Sequence, residues 1–336
     1  MTLKTLKAAL LGGAFVLSAT ASMAEEVKLT MSHYLPPFLG LHKDFMEPWA
    51  RELEAKTGGK VKVEIQTAGS ALGVITKQWD QVVDGVSDIA FGLHGIPRGR
   101  FKCTPAIELP FLTDSGEEAN DVLWKAFPDF LAEEHSEVKV LALMAHDPGV
   151  LATKGKRVEK PEDLKGLRIR VPSPFVAAML EDLGAVPVGM PPGQVYENMS
   201  TGAIDGVVLP WAGLSAFKIT EIATNAIELG AYTTPFFFIM NKDKFDSLPA
   251  DVQKAIDEIS GEALVGKFAG WWADWGKGGP GQVKDGGGEV ITPTAELRNQ
   301  WIASIAPTNA KLEAGLANEC SVGADLVKKV KELAAN

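Results

Sequence analysis

The alternation of strand-like and helix-like segments near the start of the chain is the feature that most restricts its fold. Apolar residues at every second position predict strands over residues 27–32 and 61–65, and a third strand is predicted over residues 88–91. Apolar residues at helical spacing predict a helix over residues 42–56 and another around Trp79, Val82 and Val83, one in each gap between those strands. Strands joined by helices in this order pair in parallel with right-handed crossovers. This part of the chain therefore predicts an α/β unit.

A second set of alternating segments follows further along the chain and repeats part of the first. Strands are predicted over residues 167–171, 186–188 and 207–209, with a helix from Pro174 to Leu183 between the first two. Residues 85–91 and 202–208 also share a pattern of glycine, two residues, aspartate and an apolar strand. This match favours two α/β units built on one plan, although glycine at a helix end is common enough for chance to produce it.

The first 24 residues have the pattern of a secretory signal peptide. Lys4 and Lys7 precede an uncharged run over residues 8–21, and the small residues Ser22 and Ala24 mark a cleavage site near Ala24. This run is too short to span a membrane comfortably, and no later run reaches about 18 apolar residues. We therefore expect an exported, soluble protein that consists of residues 25–336.

The size of the exported chain predicts two lobes. Of the 336 residues, 312 remain after cleavage, which exceeds the size at which one hydrophobic core usually stops growing. Residues 146–149 are a candidate hinge, and the aromatic strand over residues 232–240 is expected to return to the first lobe. We predict lobe I from residues 25–147 and 235–275, and lobe II from residues 148–234 and 276–336. A long helix from Pro249 and a flexible glycine-rich loop over residues 276–288 complete the prediction.

Charge excludes some partners, and the cysteines leave two possibilities open. Removal of Lys4 and Lys7 changes the formal net charge from −10 to −12, which argues against nucleic acid and anionic membranes as partners. An anionic ligand would then need a local cation. Cys103 and Cys320 are equally compatible with one disulfide and with two buried free thiols.

The sequence contains no pattern that favours catalysis or metal binding. Residues 276–281 match G-x-G-x-x-G, but a predicted helix precedes them, whereas a dinucleotide site needs a preceding strand. No serine lies in G-x-S-x-G, and the five histidines do not have zinc-ligand spacing. We expect no cofactor, no metal and no enzyme activity. A periplasmic hydrolase that uses Asp205 with Glu197 is the alternative from another class.

Arg170 is the strongest candidate for a ligand-binding residue. It lies at the end of a predicted strand, directly before Val171 and Pro172, and open α/β sheets bind ligands at the carboxyl ends of their strands. Its planar guanidinium fits a carboxylate with two parallel hydrogen bonds. We therefore predict an arginine–carboxylate salt bridge. The alternative is that Arg168 and Arg170 are solvated residues of one strand face.

Further candidates follow predicted strand ends, where a cleft between two lobes would open. His33 and His94 each follow a first-lobe strand, and Trp211 follows a second-lobe strand, although an aromatic residue is more often part of a core. The predicted ligand-binding residues are Arg170, Trp211, Leu209, Met190, Phe236, His33, Tyr34 and His94.

Six motifs appear in an order that is typical of one known family. They are LKGLRIRVP at residues 164–172, LGAVP at residues 183–187 with Met190, QVY at residues 194–196, TGAIDG at residues 201–206, Phe217-Lys218, and Leu248-Pro249-Ala250. With these motifs the chain resembles the substrate-binding proteins of TRAP transporters, the DctP family, over nearly its whole exported length.

The resemblance implies a fold, a ligand class and a partner. It implies a periplasmic protein with a two-lobed binding-protein fold, in which two α/β domains are joined by hinge strands and braced by a long helix. It further implies an organic acid whose carboxylate pairs with Arg170, and delivery of that acid to a permease with large and small subunits, driven by an ion gradient. We expect the protein to be a monomer.

Two departures from sialic-acid-type members of the family bear on the ligand. The position of their second arginine is Val150 here, and the asparagine of their Asp-Gly-Gln-Glu-Asn-Pro motif is Leu209. A polyhydroxylated ligand would be left with unpaired polar groups, each of which costs roughly 1–3 kcal/mol. We therefore expect a monocarboxylate with an apolar or aromatic body, packed on Trp211, Leu209 and Phe236. The alternative ligand is a small hydroxy or keto acid. The alternative function is that of a sensor lobe for a signalling receptor.

Overall fold

The computed structural model describes residues 26–335, and the predicted signal peptide lies outside them. The first elements are β1 (Val27–His33), α1 (Glu47–Lys56), β2 (Val61–Gln66), α2 (Gln78–Val83), β3 (Ile89–Leu93), α3 (Gly116–Ala126) and β4 (Val138–Ala145). The middle elements are β5 (Val150–Thr153), β6 (Arg168–Val171), α4 (Pro174–Asp182), β7 (Val186–Gly189), α5 (Val195–Ser200), β8 (Gly206–Leu209), α6 (Trp211–Ala216) and β9 (Asn225–Ile227). The last elements are β10 (Pro235–Asn241), α7 (Lys242–Ser247), α8 (Ala250–Glu258), α9 (Glu262–Gly276), α10 (Gly279–Asp285), β11 (Glu289–Ile291), α11 (Ala295–Glu319) and α12 (Gly323–Ala334).

The strands form two sheets, with the order β2-β1-β3-β10-β4 in the first and β11-β9-β5-β8-β6-β7 in the second. In the first sheet, β1 pairs in parallel with β2 and β3, as the strand–helix alternation predicts. In the second sheet, β6 pairs in parallel with β7 and β8. Strands β10 and β5 run antiparallel to their neighbours, so each sheet is mixed.

Strand β10 is buried on both faces, which explains its unbroken apolar sequence. Phe236 and Phe238 pack into the core on one side of the first sheet, and Phe237 and Ile239 pack into the core on the other side. Successive side chains of a strand point to opposite faces, so an apolar run marks a strand covered on both. Full burial of each of these side chains contributes roughly 1.5–3 kcal/mol.

Two of the connections between the sheets lie side by side. One leads from β4 to β5 and the other from β9 to β10; the main-chain N–H of Gly149 donates to the carbonyl of Tyr232 over 2.8 Å, and that of Gly230 donates to Gly149 over 3.1 Å. A Cβ atom on Gly149 would lie 2.0 Å from Cε1 of Tyr232, so this approach requires glycine. The predicted boundaries at residues 147/148 and 234/235 fall in these connections, whereas the third, at residues 275/276, falls at the end of α9. The division into lobes stays a prediction.

The helix predicted from Pro249 is not continuous. It is divided into α8 and α9 at Gly261, which has a φ of +60° and donates its N–H to the carbonyl of Leu141 in β4. The long helix is instead α11, which has 25 residues. Its first half contributes Trp301 and Ile305 to a core of the second sheet, and its second half contributes Leu316 to a core of the first.

Residues 276–288 do not form the flexible loop that their glycines predict. They contain the helix α10, and a Cβ atom on Gly279 would lie 2.6 Å from the ring of Trp211 in α6. The glycine therefore permits close packing between two helices.

The C-terminal helix α12 lies against the first sheet's unit, although the sequence prediction placed it with the second lobe. Val327 and Val330 of α12 share a core with Val122 of α3. A disulfide between Cys103 and Cys320, with a Cα–Cα distance of 5.1 Å, joins the end of α11 to the same unit. Of the two possibilities for the cysteines, the structure has the disulfide. No helix among residues 26–335 is both long enough and apolar enough to cross a membrane.

Candidate functional site

A cavity of about 670 Å³, counting the part that is open to solvent, lies between the two sheets. The first sheet's unit contributes Tyr34 and the loop that follows it, and the second contributes Arg170 and Leu209. The two connections contribute His146 and Tyr232. Ligands of two-lobed α/β proteins bind at such a junction, so this cavity is the candidate site.

Arg170 is buried in the wall of this cavity and has no charged partner among the residues that the structure describes. Strand β6 holds it between β7 and β8, opposite Val188 and Val207, and its side chain is only 1% exposed. Its Nε donates to the carbonyl of Met190 over 3.0 Å, and its Nη1 donates to the carbonyl of Val208 over 3.4 Å. No acidic residue between positions 26 and 335 forms an ion pair with it. These neutral contacts orient the guanidinium and leave its charge uncompensated.

Arg168, two residues earlier, has a different environment. Its Nη2 lies 3.0 Å from Oδ1 of Asp205 and its Nε lies 3.0 Å from Oδ2. This hydrogen-bonded pair holds the pKa of the Asp205 carboxyl below its usual range. Glu197 is exposed on α5. Asp205 is therefore a structural partner of Arg168, and it is not suited to the acid pair that a hydrolase would need.

The charge of Arg170 persists at neutral pH, and neutral hydroxyl groups surround it. Burial lowers the pKa of Arg170 to about 10. Burial also raises the pKa of both Tyr34 and Tyr232 above its ordinary value, so both phenols stay protonated. The hydroxyl of Tyr232 is buried and makes no hydrogen bond within the described chain. An anion beside Arg170 would therefore also find hydroxyl donors.

His146 is the first residue of the connection from β4 to β5, directly after Ala145, and it also lines the cavity. Its Nδ1 lies 2.5 Å from the main-chain carbonyl of Asp147. Burial, with a smaller effect from the charge of Arg170, lowers the pKa of His146 to about 4, although the hydrogen bond to Asp147 acts in the opposite direction. The imidazole is therefore neutral at neutral pH.

The rest of the cavity wall is mainly apolar. Phe236 and Trp272 lie with their ring centroids 5.7 Å apart, and Leu35 and Leu39 come from the loop after β1. This loop approaches α9 closely, because a Cβ atom on Gly40 would lie 2.3 Å from the ring of Trp275. Such a surface suits an apolar or aromatic ligand body.

Four of the eight predicted site residues line the cavity together, namely Arg170, Leu209, Phe236 and Tyr34. Met190 takes part through its main-chain carbonyl, which accepts from Arg170, while its side chain packs into a core of the second sheet.

The other three predicted residues lie elsewhere. Trp211 starts α6 with its ring turned away from the cavity, where its Nε1 donates to Glu228 over 3.0 Å. His33 is buried beside His42, with 2.9 Å between Nε2 of His33 and Nδ1 of His42. The ring of His94 contacts those of Phe101, His135 and Phe237, in a core of the first sheet. His33 is the last residue of β1, and His94 and Trp211 come after the ends of β3 and β8. The direction in which a side chain leaves a strand end is set by the packing around it.

Sequence reasoning missed His146, Tyr232 and Trp272 as cavity residues. The sequence prediction placed His146 in the hinge and Tyr232 at the start of the returning strand. Both positions lie between the predicted lobes, and this location could have identified them as cavity residues. Trp272 lies on α9, far along the chain, and its sequence neighbours carry no such signal. Within residues 26–335 no group of three or more His, Cys, Asp or Glu side chains is arranged to hold a metal.

The chain is similar to known proteins of one family. The family model for bacterial extracellular solute-binding protein, family 7 (DctP), matches residues 31–315. A relative from Comamonas testosteroni, described as the outer membrane transporter protein TsaT, is 31% identical over 250 residues, which are 73% of either chain.

Two solved structures are similar over almost the whole chain. One is a TRAP solute-binding protein from an unidentified marine microbe, specific for aromatic acid ligands and in complex with metahydroxyphenylacetate; its TM-score is 0.86 at 34% identity, with 92% of this chain and 99% of that chain covered. Another, from Rhodoferax ferrireducens in complex with copurified benzoate, has a TM-score of 0.86 at 28% identity, with 92% and 98% covered. The predicted family and the predicted two-lobed α/β fold are thereby confirmed.

Proposed function

The chain belongs to the DctP family, the solute-binding proteins of TRAP transporters, and from this premise we propose that it captures an aromatic or other apolar monocarboxylate between its two sheets. Family members are periplasmic and work with membrane permeases. For this chain we propose export with cleavage near Ala24, a monomeric state, and delivery of the acid to the large and small subunits of a permease for uptake driven by an ion gradient.

The observation that carries the proposal is the buried, uncompensated charge of Arg170. An unpaired buried charge is costly, and a ligand carboxylate would remove that cost by pairing with the guanidinium. In the described part of the chain, Arg170 is the only side chain of the cavity wall that is charged at neutral pH. A second carboxylate would therefore be buried without a partner, which favours monocarboxylates over dicarboxylates.

We propose a separate role for each part of the cavity. Arg170 holds the carboxylate, with the hydroxyl groups of Tyr34 and Tyr232 as further donors. Leu209, Phe236 and Trp272 cover the apolar body of the ligand. Benzoate and metahydroxyphenylacetate in the similar proteins are acids of this kind, which supports the assignment.

The proposal is tested by isothermal titration calorimetry with benzoate, phenylacetate, succinate and glucuronate. We expect the two aromatic acids to bind and the other two to bind at least tenfold more weakly. Arg170→Ala should reduce affinity for the aromatic acids by at least about 30-fold, because truncation of one partner of a buried charge pair costs about 2 kcal/mol or more.

Arg168→Ala is the matched control, since Arg168 lies on the same strand but pairs with Asp205. It should leave affinity within about threefold of that of the unchanged protein. Tight binding of glucuronate alone, or full affinity in Arg170→Ala, would show that the proposed ligand class or the proposed clamp is wrong.

A further inference from the structure

The hydrogen bond between His146 and Asp147 determines which nitrogen of the imidazole carries the proton. A carbonyl oxygen only accepts, so the 2.5 Å contact requires that Nδ1 of His146 donates its N–H to Asp147. A neutral imidazole has one N–H, and His146 is neutral at neutral pH. Nε2 therefore carries a lone pair and only accepts hydrogen bonds.

This lone pair belongs to a ring that cannot easily turn away. The imidazole is 3% exposed and makes edge contacts with Tyr232, Phe236 and Trp272, at centroid distances of 5.4, 6.0 and 6.0 Å. The hydroxyl of Thr233 donates to the main-chain carbonyl of His146 over 2.6 Å and holds the backbone. Nε2 has no hydrogen-bond donor among residues 26–335. Its ring lines the same cavity as Arg170.

A ligand that filled the cavity with a carboxylate and a plain hydrocarbon body would leave this acceptor unpaired. The carboxylate itself offers no donor, because it is ionised while it pairs with Arg170. A buried acceptor without a donor is costly, so affinity should rise when the ligand brings one. A ligand ammonium would bring a donor together with a second positive charge near Arg170, whose own charge already acts on His146. A neutral hydroxyl group brings a hydrogen-bond donor for Nε2 and adds no positive charge near Arg170.

We propose that His146 selects hydroxylated aromatic monocarboxylates, by accepting a hydrogen bond from the ligand hydroxyl at Nε2. This inference rests on the proposed function and narrows its ligand class. The hydroxyl can be carried on the carbon next to the carboxylate or on the ring, and the two positions are separated by the choice of ligands.

The experiment compares ligands that differ only in the donor. One series is mandelate, α-fluorophenylacetate and phenylacetate; the other is 3-hydroxybenzoate, 3-fluorobenzoate and benzoate. Fluorine occupies nearly the space of a hydroxyl but donates no hydrogen bond, so it controls for size. In calorimetric titrations we expect the hydroxylated acid of at least one series to bind about five- to tenfold more tightly than its fluorinated partner, the gain typical of one hydrogen bond.

Two variants assign this preference to His146. His146→Phe keeps an aromatic ring in the cluster and removes the acceptor, so the ratio of the affinities for the hydroxylated acid and its fluorinated partner should fall to about one, whatever the change in affinity for the unsubstituted acid. His146→Gln offers an amide oxygen and should retain part of the preference. Circular dichroism and thermal unfolding show whether both variants are folded. If His146→Phe does not fold, the test uses the hydroxyl preference of His146→Gln, which should be smaller than that of the unchanged protein.

The outcomes separate this inference from the proposed function. If the unsubstituted acids bind but neither series shows a hydroxyl preference, or if His146→Phe keeps the preference, the inference is overturned and the proposed function stands. If no aromatic acid binds, both are overturned.

Discussion

Single residues at the junction of the two sheets have roles that their residue type alone does not reveal. Arg168 and Arg170 lie on one short strand, but one pairs with Asp205 and the other has no acidic partner among the described residues. Gly149 has no side chain, yet it determines how closely the two connections approach each other, because the ring of Tyr232 occupies the space where its Cβ atom would be. Tyr232 in turn lines the cavity.

We predict that Gly149→Ala destabilises the protein by about 1–3 kcal/mol, since an added methyl group in a filled space forces its neighbours to move. It should also weaken binding of benzoate, because the ring that must shift is a cavity residue. Urea denaturation and calorimetric titration measure the two effects.

Gly266→Ala is the control for this substitution. Gly266 lies inside α9, and a Cβ atom there would meet nothing within 4 Å. Alanine should stabilise that helix by up to about 1 kcal/mol. Equal stability of the two variants would contradict the steric role of Gly149.

At the scale of elements, the loop after β1 is held to α1 by a chain of side-chain hydrogen bonds. The main-chain N–H of Leu35 donates to Nδ1 of His33 over 3.1 Å, so Nε2 of His33 carries the proton and donates to Nδ1 of His42 over 2.9 Å. Nε2 of His42 then donates to Glu47 over 3.0 Å. His33, predicted as a ligand contact, thus supports the loop whose residues Leu35 and Leu39 line the cavity.

His42→Phe should therefore destabilise the protein by about 1–3 kcal/mol, because it leaves a buried N–H of His33 without an acceptor. It should also reduce affinity for aromatic acids, since the loop loses its attachment. Glu47→Gln keeps an oxygen acceptor and serves as the control, with an expected loss below about 1 kcal/mol. Chemical denaturation and titration of both variants are the measurements, and a loss in Glu47→Gln that matches His42→Phe would refute the ordered chain of donors.

At the scale of the whole molecule, buried titratable groups make stability depend on pH. Burial lowers the pKa of four histidines, to about 3 for His33 and about 4 for His146, with His94 and His135 also lowered. Burial raises the pKa of Glu108 to about 7 and that of Asp147 to about 6. Between pH 5 and 6.5 the unfolded chain binds protons at the histidines that the native state does not bind, while the native state holds protons at the two carboxyls.

We predict that the free energy of unfolding falls on acidification from pH 7 to pH 5. The stability due to each neutral buried histidine is complete above the unfolded pKa, near 6.5, and is lost as pH falls towards the lower folded pKa. The stability due to Glu108 and Asp147 has the opposite sign, because it is present at low pH and is lost as pH rises through their folded pKa values. Because the four histidines outnumber the two carboxyls, the free energy of unfolding should fall by at most about 3 kcal/mol per pH unit on acidification.

Urea midpoints of the ligand-free protein at pH 7, 6 and 5 measure this slope. Glu108→Gln removes one opposing group and should make the loss on acidification steeper. A midpoint that is constant or rises as pH falls would show that the histidines do not dominate.

The sequence by itself determined those features that depend on local spacing. Alternation predicted the strands β1 and β2, and short apolar runs predicted β3 and β10, because each pattern indicates which faces of a strand avoid water. The position of Arg170 at the end of β6 predicted its place in the cavity by the same logic. Motif order was enough to indicate the family.

Only the tertiary structure decided which segments meet and which way their end residues point. Gly261 interrupts the helix from Pro249 through its contact with β4, and the packing of α6 on α10 turns Trp211 away from the cavity. His146 and Trp272 are 126 positions apart, yet their rings make contact. Local spacing carries no information about such distances, because they depend on how separate elements pack into one core.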